Sequence, residues 1–175
     1  MSILQMLYYP DQRLRKIARS VSIISHDTKK IISDMFETMY FQQGIGLAAT
    51  QVDIHQKIIV IDLNNNIQKR LVFINPCIIK KIGTITHIIE GCLSIPKIRA
   101  SVPRSQNIIV QSLDENGNNF EMEATDLLSV CIQHEIDHLL GKLFIDYLSP
   151  FKIQRIHKKI NKWSTVYKNH IKLSH

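Results

Sequence analysis

No run of 18 or more apolar residues occurs in this chain, so no segment of the sequence is long enough to cross a bilayer as a helix. The start, Met1-Ser2-Ile3-Leu4-Gln5-Met6, has neither a basic leader nor a long apolar stretch, which argues against a secretory signal. Cysteine is scarce as well. Cys77, Cys92 and Cys131 are too few and too scattered for a disulfide framework, and a reducing, cytoplasmic setting is expected. There is no internal repeat, low-complexity tract or long linker, and 175 residues with 45% apolar content suit one core. Acidic residues are missing from the last 25 positions, which hold Lys152, Arg155, Lys158, Lys159, Lys162, Lys168 and Lys172. The other 15 basic residues balance the 15 acidic ones, so the whole net charge of +7 sits in this tail. A surface that meets a polyanion is expected there.

Against that background His134-Glu135-Ile136-Asp137-His138 stands out as an H-E-x-x-H motif. Histidines four apart share a helix face, and two imidazoles so placed can hold one metal ion at about 2.0–2.1 Å. Glu135 then lies beside the open position of the metal, where a carboxylate serves as general base. With 8 His and 6 Glu in the chain the pattern arises by chance with probability of about 0.01, so context must decide.

Coarse patterning predicts the context. Ser25 or Asp27 caps a helix carrying Ile31, Ile32, Met35, Met39 and Tyr40 and ending near Gly44. Strand-like runs follow at 57–63, 70–74, 84–89, 107–113 and 119–124, the last two joined by Glu115-Asn116-Gly117-Asn118. Thr125 or Asp126 caps the motif helix, which stops at Gly141. Ser149-Pro150 opens a final amphipathic helix with Ile153, Ile156, Ile160, Trp163 and Tyr167 on one stripe. The expected class is α+β, with antiparallel β-sheets packed around a central H-E-x-x-H helix, an N-terminal helix and a C-terminal basic amphipathic helix. Residues 1–150 are expected to form a single catalytic domain, and 151–175 a basic helix packed on it or extending from it.

A catalytic metal site has three protein ligands and one open position. The extended protease pattern H-E-x-x-H-x-x-G-x-x-H finds Gly141 but then Phe144, which binds no metal. A thermolysin-like downstream carboxylate is excluded because no Asp or Glu follows Asp146. Among the thiols, Cys131 shares the helix face but lies about 10 Å along the axis from His138 and tilts away. It reads as pocket lining. Cys77, after Asn75-Pro76, reads as a buried structural thiol. Cys92, after a glycine and just before Pro96, is the leading candidate, although chemistry alone leaves the choice open.

Three segments together, Gly44-Ile45-Gly46-Leu47-Ala48-Ala49-Thr50-Gln51, Glu90-Gly91-Cys92-Leu93-Ser94 and Gln133 to His138, resemble the three signature motifs of peptide deformylase in the family's order. The resemblance continues through Gly141 to Pro150 and so covers most of the chain. It implies removal of the formyl group from the N-terminal methionine of newly made polypeptides, with release of formate. It further implies metal ligands Cys92, His134 and His138, Glu135 as catalytic acid/base, and Gln51 with the Leu93 main-chain N–H as donors to the formyl oxygen. Ile45, Gly46 and Gly91 would lie along the substrate backbone, Ile88, Leu127 and Cys131 would line the methionine pocket, and Arg99 would sit near downstream residues. Glu90 and Arg104 are expected to pair. The implied ion is Fe²⁺, with Zn²⁺, Ni²⁺ or Co²⁺ as substitutes that a Cys-His-His set also permits. The implied partners are N-formylmethionyl nascent peptides and, through the basic C-terminal helix, ribosomal RNA near the tunnel exit. A monomer without membrane contact is expected.

The chemistry agrees with the residues. Amide hydrolysis needs an activated water and donors for a developing oxyanion, and each such donor contributes about 2.7–4 kcal/mol. The Gly-Ile-Gly segment lacks the third glycine and the following Lys of a phosphate loop, so nucleotide binding is not supported. Two other classes compete: a metalloprotease, disfavoured by Phe144, and a non-catalytic RNA-binding module with a closed structural metal site.

Overall fold

The structure, a computed structural model, describes residues 2–63 and 70–160. Helix α1, His26–Phe41, begins at a capping box in which Ser25 and Thr28 exchange side-chain and backbone hydrogen bonds. Its apolar stripe buries Ile32, Met35, Phe36 and Met39 against Ile58 and Val60. The helix stops where Gln43 turns left-handed, at φ 57°, and the N–H of Gly44 reaches the Met39 carbonyl at 2.9 Å. Gln43, rather than the expected Gly44, therefore takes the strained position.

Five antiparallel strands form one sheet in the order β1 to β5: Gly46–Ala48, Ile58–Ile61, Leu71–Cys92, Ile95–Leu113 and Asn119–Thr125. Alternation predicted separate short strands at 70–74 and 84–89. They are parts of one 22-residue strand. The intervening Lys80, Lys81 and Gly83 obscure the pattern, and register shifts between 74 and 85 bend the ribbon there without ending the pairing. Cys77, expected to be buried, is exposed on this strand. Strand β3 ends at Cys92, a two-residue turn of Leu93 and Ser94 follows, and Ile95 of β4 pairs back with Cys92. The hairpin tip thereby carries the thiol.

Helix α2, Asp126–Leu139, packs against β1, β2, β4 and β5. Ser129 Oγ and Gln133 Nε2 donate to the Ser105 carbonyl at 3.0 and 2.9 Å, while Gln133 Oε1 accepts the Ser105 N–H at 3.1 Å. These bonds fix both the depth and the rotation of α2 on β4. The helix ends at Gly141, whose φ of 71° and contact with the Arg15 backbone leave no room for a β-carbon. Residues 150–160 form α3. Ile156 is buried in a third core with Leu7, Ile95, Ile98 and Leu148, and Ile153 and Ile160 pack against it. The stripe members Trp163 and Tyr167 lie outside the described residues.

Candidate active site

Three elements bring the candidate groups together. Helical spacing puts the rings of His134 and His138 4.9 Å apart, centroid to centroid, on α2. The hairpin tip brings in Cys92, with Sγ 3.1 Å from His138 Nε2. One ligand atom from each of these three residues lies within 4.8 Å of the other two. The 3-10 turn Ala49–Val52 delivers Gln51, whose Oε1 accepts the Ala48 N–H at 2.9 Å. The Gln51 amide nitrogen then lies 3.6 Å from Cys92 Sγ and 3.1 Å from Ser94 Oγ. Thr50 ties the same turn to α2 by donating to the His138 carbonyl at 3.2 Å.

Behind the histidines lies an ion network. His134 Nδ1 is 2.8 Å from Glu90 Oε2. An ionised carboxylate only accepts, so Nδ1 carries a hydrogen and Nε2 is the ring nitrogen left to meet a cation. Arg104 donates to both Glu90 oxygens, at 2.6 and 3.1 Å, and to Asp137 Oδ2 at 2.6 Å. Tyr147 adds its hydroxyl to Asp137 at 2.9 Å. The expected Glu90–Arg104 pair is thus one half of a larger cluster. Asp137 and Tyr147 were not singled out from the sequence, and neither was Ser94, because their partners are distant along the chain.

Electrostatics separates the buried groups. Burial pushes the Glu135 carboxyl up to about 7. Burial also holds His138 well below the usual imidazole range, helped by the neighbouring His134. For His134 burial acts against the charge, but Cys92 and Glu90 outweigh it and hold the ring well above that range. Glu135 Oε2 and His138 Nδ1 are buried without a hydrogen-bond partner among the described residues. A sulfur and two imidazoles at this separation, one of them held by a carboxylate from behind, fit a divalent transition metal.

Packing also requires glycine at position 46. A β-carbon there would stand 2.7 Å from both Cys131 Sγ and Glu135 Oε1, so glycine makes room for the carboxylate itself. Phe144, the position that failed as a protease ligand, stacks on the His134 ring at 6.2 Å.

A model of the polypeptide deformylase family matches residues 3–154. A peptide deformylase of Blochmanniella pennsylvanica is 66% identical over 168 residues, 96% of each chain. The chain belongs to the polypeptide deformylase family. The structure also superposes on the peptide deformylase of Legionella pneumophila with a TM-score of 0.91 at 40% identity, covering 95% of this chain and 98% of that one. For the Ehrlichia chaffeensis peptide deformylase in complex with actinonin the values are 0.86 and 39%, with 93% and 98% covered. Polypeptide deformylases are metal-dependent hydrolases, and the activity of this chain is removal of the N-formyl group from newly made polypeptides.

The remaining candidates differ in exposure and position. Gly46 and Cys131 touch Glu135 or lie beside it. Ile45 and Gly91 are exposed at the strand ends, and the Arg99 side chain lies across Gly91. Ile88 is half-buried on β3 and Leu127 is 52% exposed on the first turn of α2. Neither enters the three buried cores. No helix among the described residues is long and apolar enough to cross a membrane.

Proposed function

We propose that Cys92, His134 and His138 hold one Fe²⁺ ion, with Zn²⁺, Ni²⁺ or Co²⁺ able to replace it, and that Glu135 moves the proton in deformylation. The observation that carries this reading is the close S, N, N set beside a buried carboxylate, one oxygen of which has no hydrogen-bond partner among the described residues. When bound, the ion supplies Lewis acidity, polarising the formyl group and acidifying water. Glu135, with a pKa near 7, is matched to take a proton at neutral pH and return it to the leaving amine. The Gln51 amide and the Leu93 N–H donate to the formyl oxygen, and Ser94 holds the Gln51 amide in place. Ile45, Gly46 and Gly91 run along the substrate backbone, and Ile88, Leu127 and Cys131 line the methionine pocket. Arg99 meets the residues beyond.

Formate release from formyl-Met peptides tests the reading. Glu135→Ala is expected to lower kcat/KM by about 10²–10⁴-fold, and undiminished activity would reject the role. Anaerobic reconstitution with each ion tests the metal: full activity with zinc alone would reject iron.

The finer setting follows from the same reading. Residues 1–150 act as one catalytic domain, in a cytoplasmic monomer, and the basic segment 151–175 meets ribosomal RNA near the tunnel exit. Since Ile156 is buried, removing α3 would open the third core. The sharper test is truncation after Ile160, which removes Lys162, Lys168 and Lys172. Ribosome affinity should fall while hydrolysis of short formyl-peptides persists, and unchanged affinity would reject the contact.

A further inference from the structure

A cleft of about 380 Å³ opens between the start of β4 and α3. Five of its lining residues are cations, Lys97, Arg99, Lys152, Arg155 and Lys159, and none is acidic. Ile98 and Ile156, both buried, form an apolar floor. The backbone contributes to this arrangement. Gly91 pairs with Arg99 but Cys92 pairs with Ile95, so Pro96, Lys97 and Ile98 form a bulge, and Lys97 takes a left-handed φ of 61°. Bulges beside active sites re-aim side chains, and here exposed Lys97 and Arg99 flank buried Ile98. On the other wall Lys152, Arg155 and Lys159 recur at steps of three and four and share one helix face. They span about 10 Å of axis, the length of roughly three extended residues.

We propose that this cleft receives acidic side chains of the formyl-peptide downstream of its first residues, so that the enzyme favours substrates with Asp or Glu there. The inference rests on the deformylase reading. Two observations select a peptide as the occupant. The Arg99 side chain spans both places: its Cγ would lie 3.6 Å from a β-carbon on Gly91, beside Cys92, and it also lines the cleft. The cleft thus begins one side chain away from a substrate backbone that lies along Gly91. The charge is also one-sided, and the apolar floor suits methylene groups of a peptide. Lys158, on the same helix, does not line the cleft and stays available to another polyanion.

The test uses the full chain with its metal and three peptides, formyl-Met-Ala-Ala followed by three Asp, three Asn or three Lys. The Asp peptide is expected to have a kcat/KM about five- to tenfold above the Asn peptide at low salt, carried by KM, with the Lys peptide lowest. Added salt should shrink the ratio. Lys159→Glu and Lys152→Glu should each reduce the preference, whereas Lys158→Glu, the same charge change outside the cleft, should leave it intact. The same ratio is read by calorimetry on the N-acetyl peptides, so the result does not depend on turnover. Equal values for Asp and Asn peptides would overturn the proposal. So would a Lys159→Glu variant that loses binding of a single-stranded RNA oligonucleotide while peptide selectivity stays put, since the cleft then belongs to RNA. No formate from any peptide would count against the deformylase reading, while an Asp preference in the calorimetry would still support the cleft.

Discussion

On one side of α2, Arg104 is 4% exposed and fully engaged, with Glu90, Asp137 and the face of Tyr147 around it. On the other side, Glu135 is equally buried, yet one carboxylate oxygen has no partner among the described residues. Burying a charge is tolerated when it is paired and hydrogen-bonded, and is costly otherwise. The paired cluster holds the His134 ring in one orientation. The unpaired one keeps a base near neutrality. One helix thus carries paired groups at His134 and Asp137 and unpartnered polar atoms at Glu135 and His138, and the contrast between them can be tested.

The largest effect is expected at Arg104. Arg104→Met leaves Glu90 and Asp137 buried without the cation they share, at a cost of about 3–5 kcal/mol in urea unfolding; a loss below 1 kcal/mol would break the comparison. Glu135→Gln should act in the opposite direction. The folded pKa of Glu135 lies above the unfolded one, so its ionisation opposes folding increasingly as pH rises from about 4.5 to about 7. In metal-stripped protein at pH 8 the variant is therefore expected to be more stable than the parent by a few kcal/mol, on the order of 2–3. The gap should close near pH 4, and equal unfolding midpoints at pH 8 would contradict the unpaired state.

Glu90 has the reverse sign. Burial raises its pKa, but His134 and Arg104 outweigh burial and hold it below the usual carboxylate value. Its contribution is present above the unfolded pKa and is lost as pH falls through the folded one. Acid titration of stability below pH 4.5 should flatten in Glu90→Gln relative to the parent, and identical slopes would remove Glu90 from the network. The smallest change is Tyr147→Phe, which deletes one hydrogen bond to Asp137 and is expected to cost about 0.5–1.5 kcal/mol. With Arg104 still paired, deformylation should stay within about twofold, whereas a larger fall would extend the positioning role to Tyr147.

The helices were readable because their signals are local: Ser25 and Thr28 are three apart, and Ile153, Ile156 and Ile160 are one stripe. The long β3 was read as fragments because Lys80, Lys81 and Gly83 interrupt alternation without interrupting the ladder. Cys77 was misread for a related reason. A cysteine's burial depends on what packs over the strand, and Cys77 stays exposed. The two histidines and Glu135 are legible from spacing on one helix, but nothing local marks Asp137 inside the same motif. Its partner, Arg104, lies 33 residues earlier, on β4.

By itself the sequence determined the pieces whose geometry is periodic: the imidazole pair, the carboxylate between them, the capped helices and the one-sided charge of the tail. The tertiary structure decided which thiol meets those rings, which glycine must stay small beside Glu135, and which ions pair behind His134. Helical neighbours are set by backbone geometry within a turn. Cys92, Gly46 and Arg104 reach α2 only through a hairpin, a short strand and a register that no local pattern encodes.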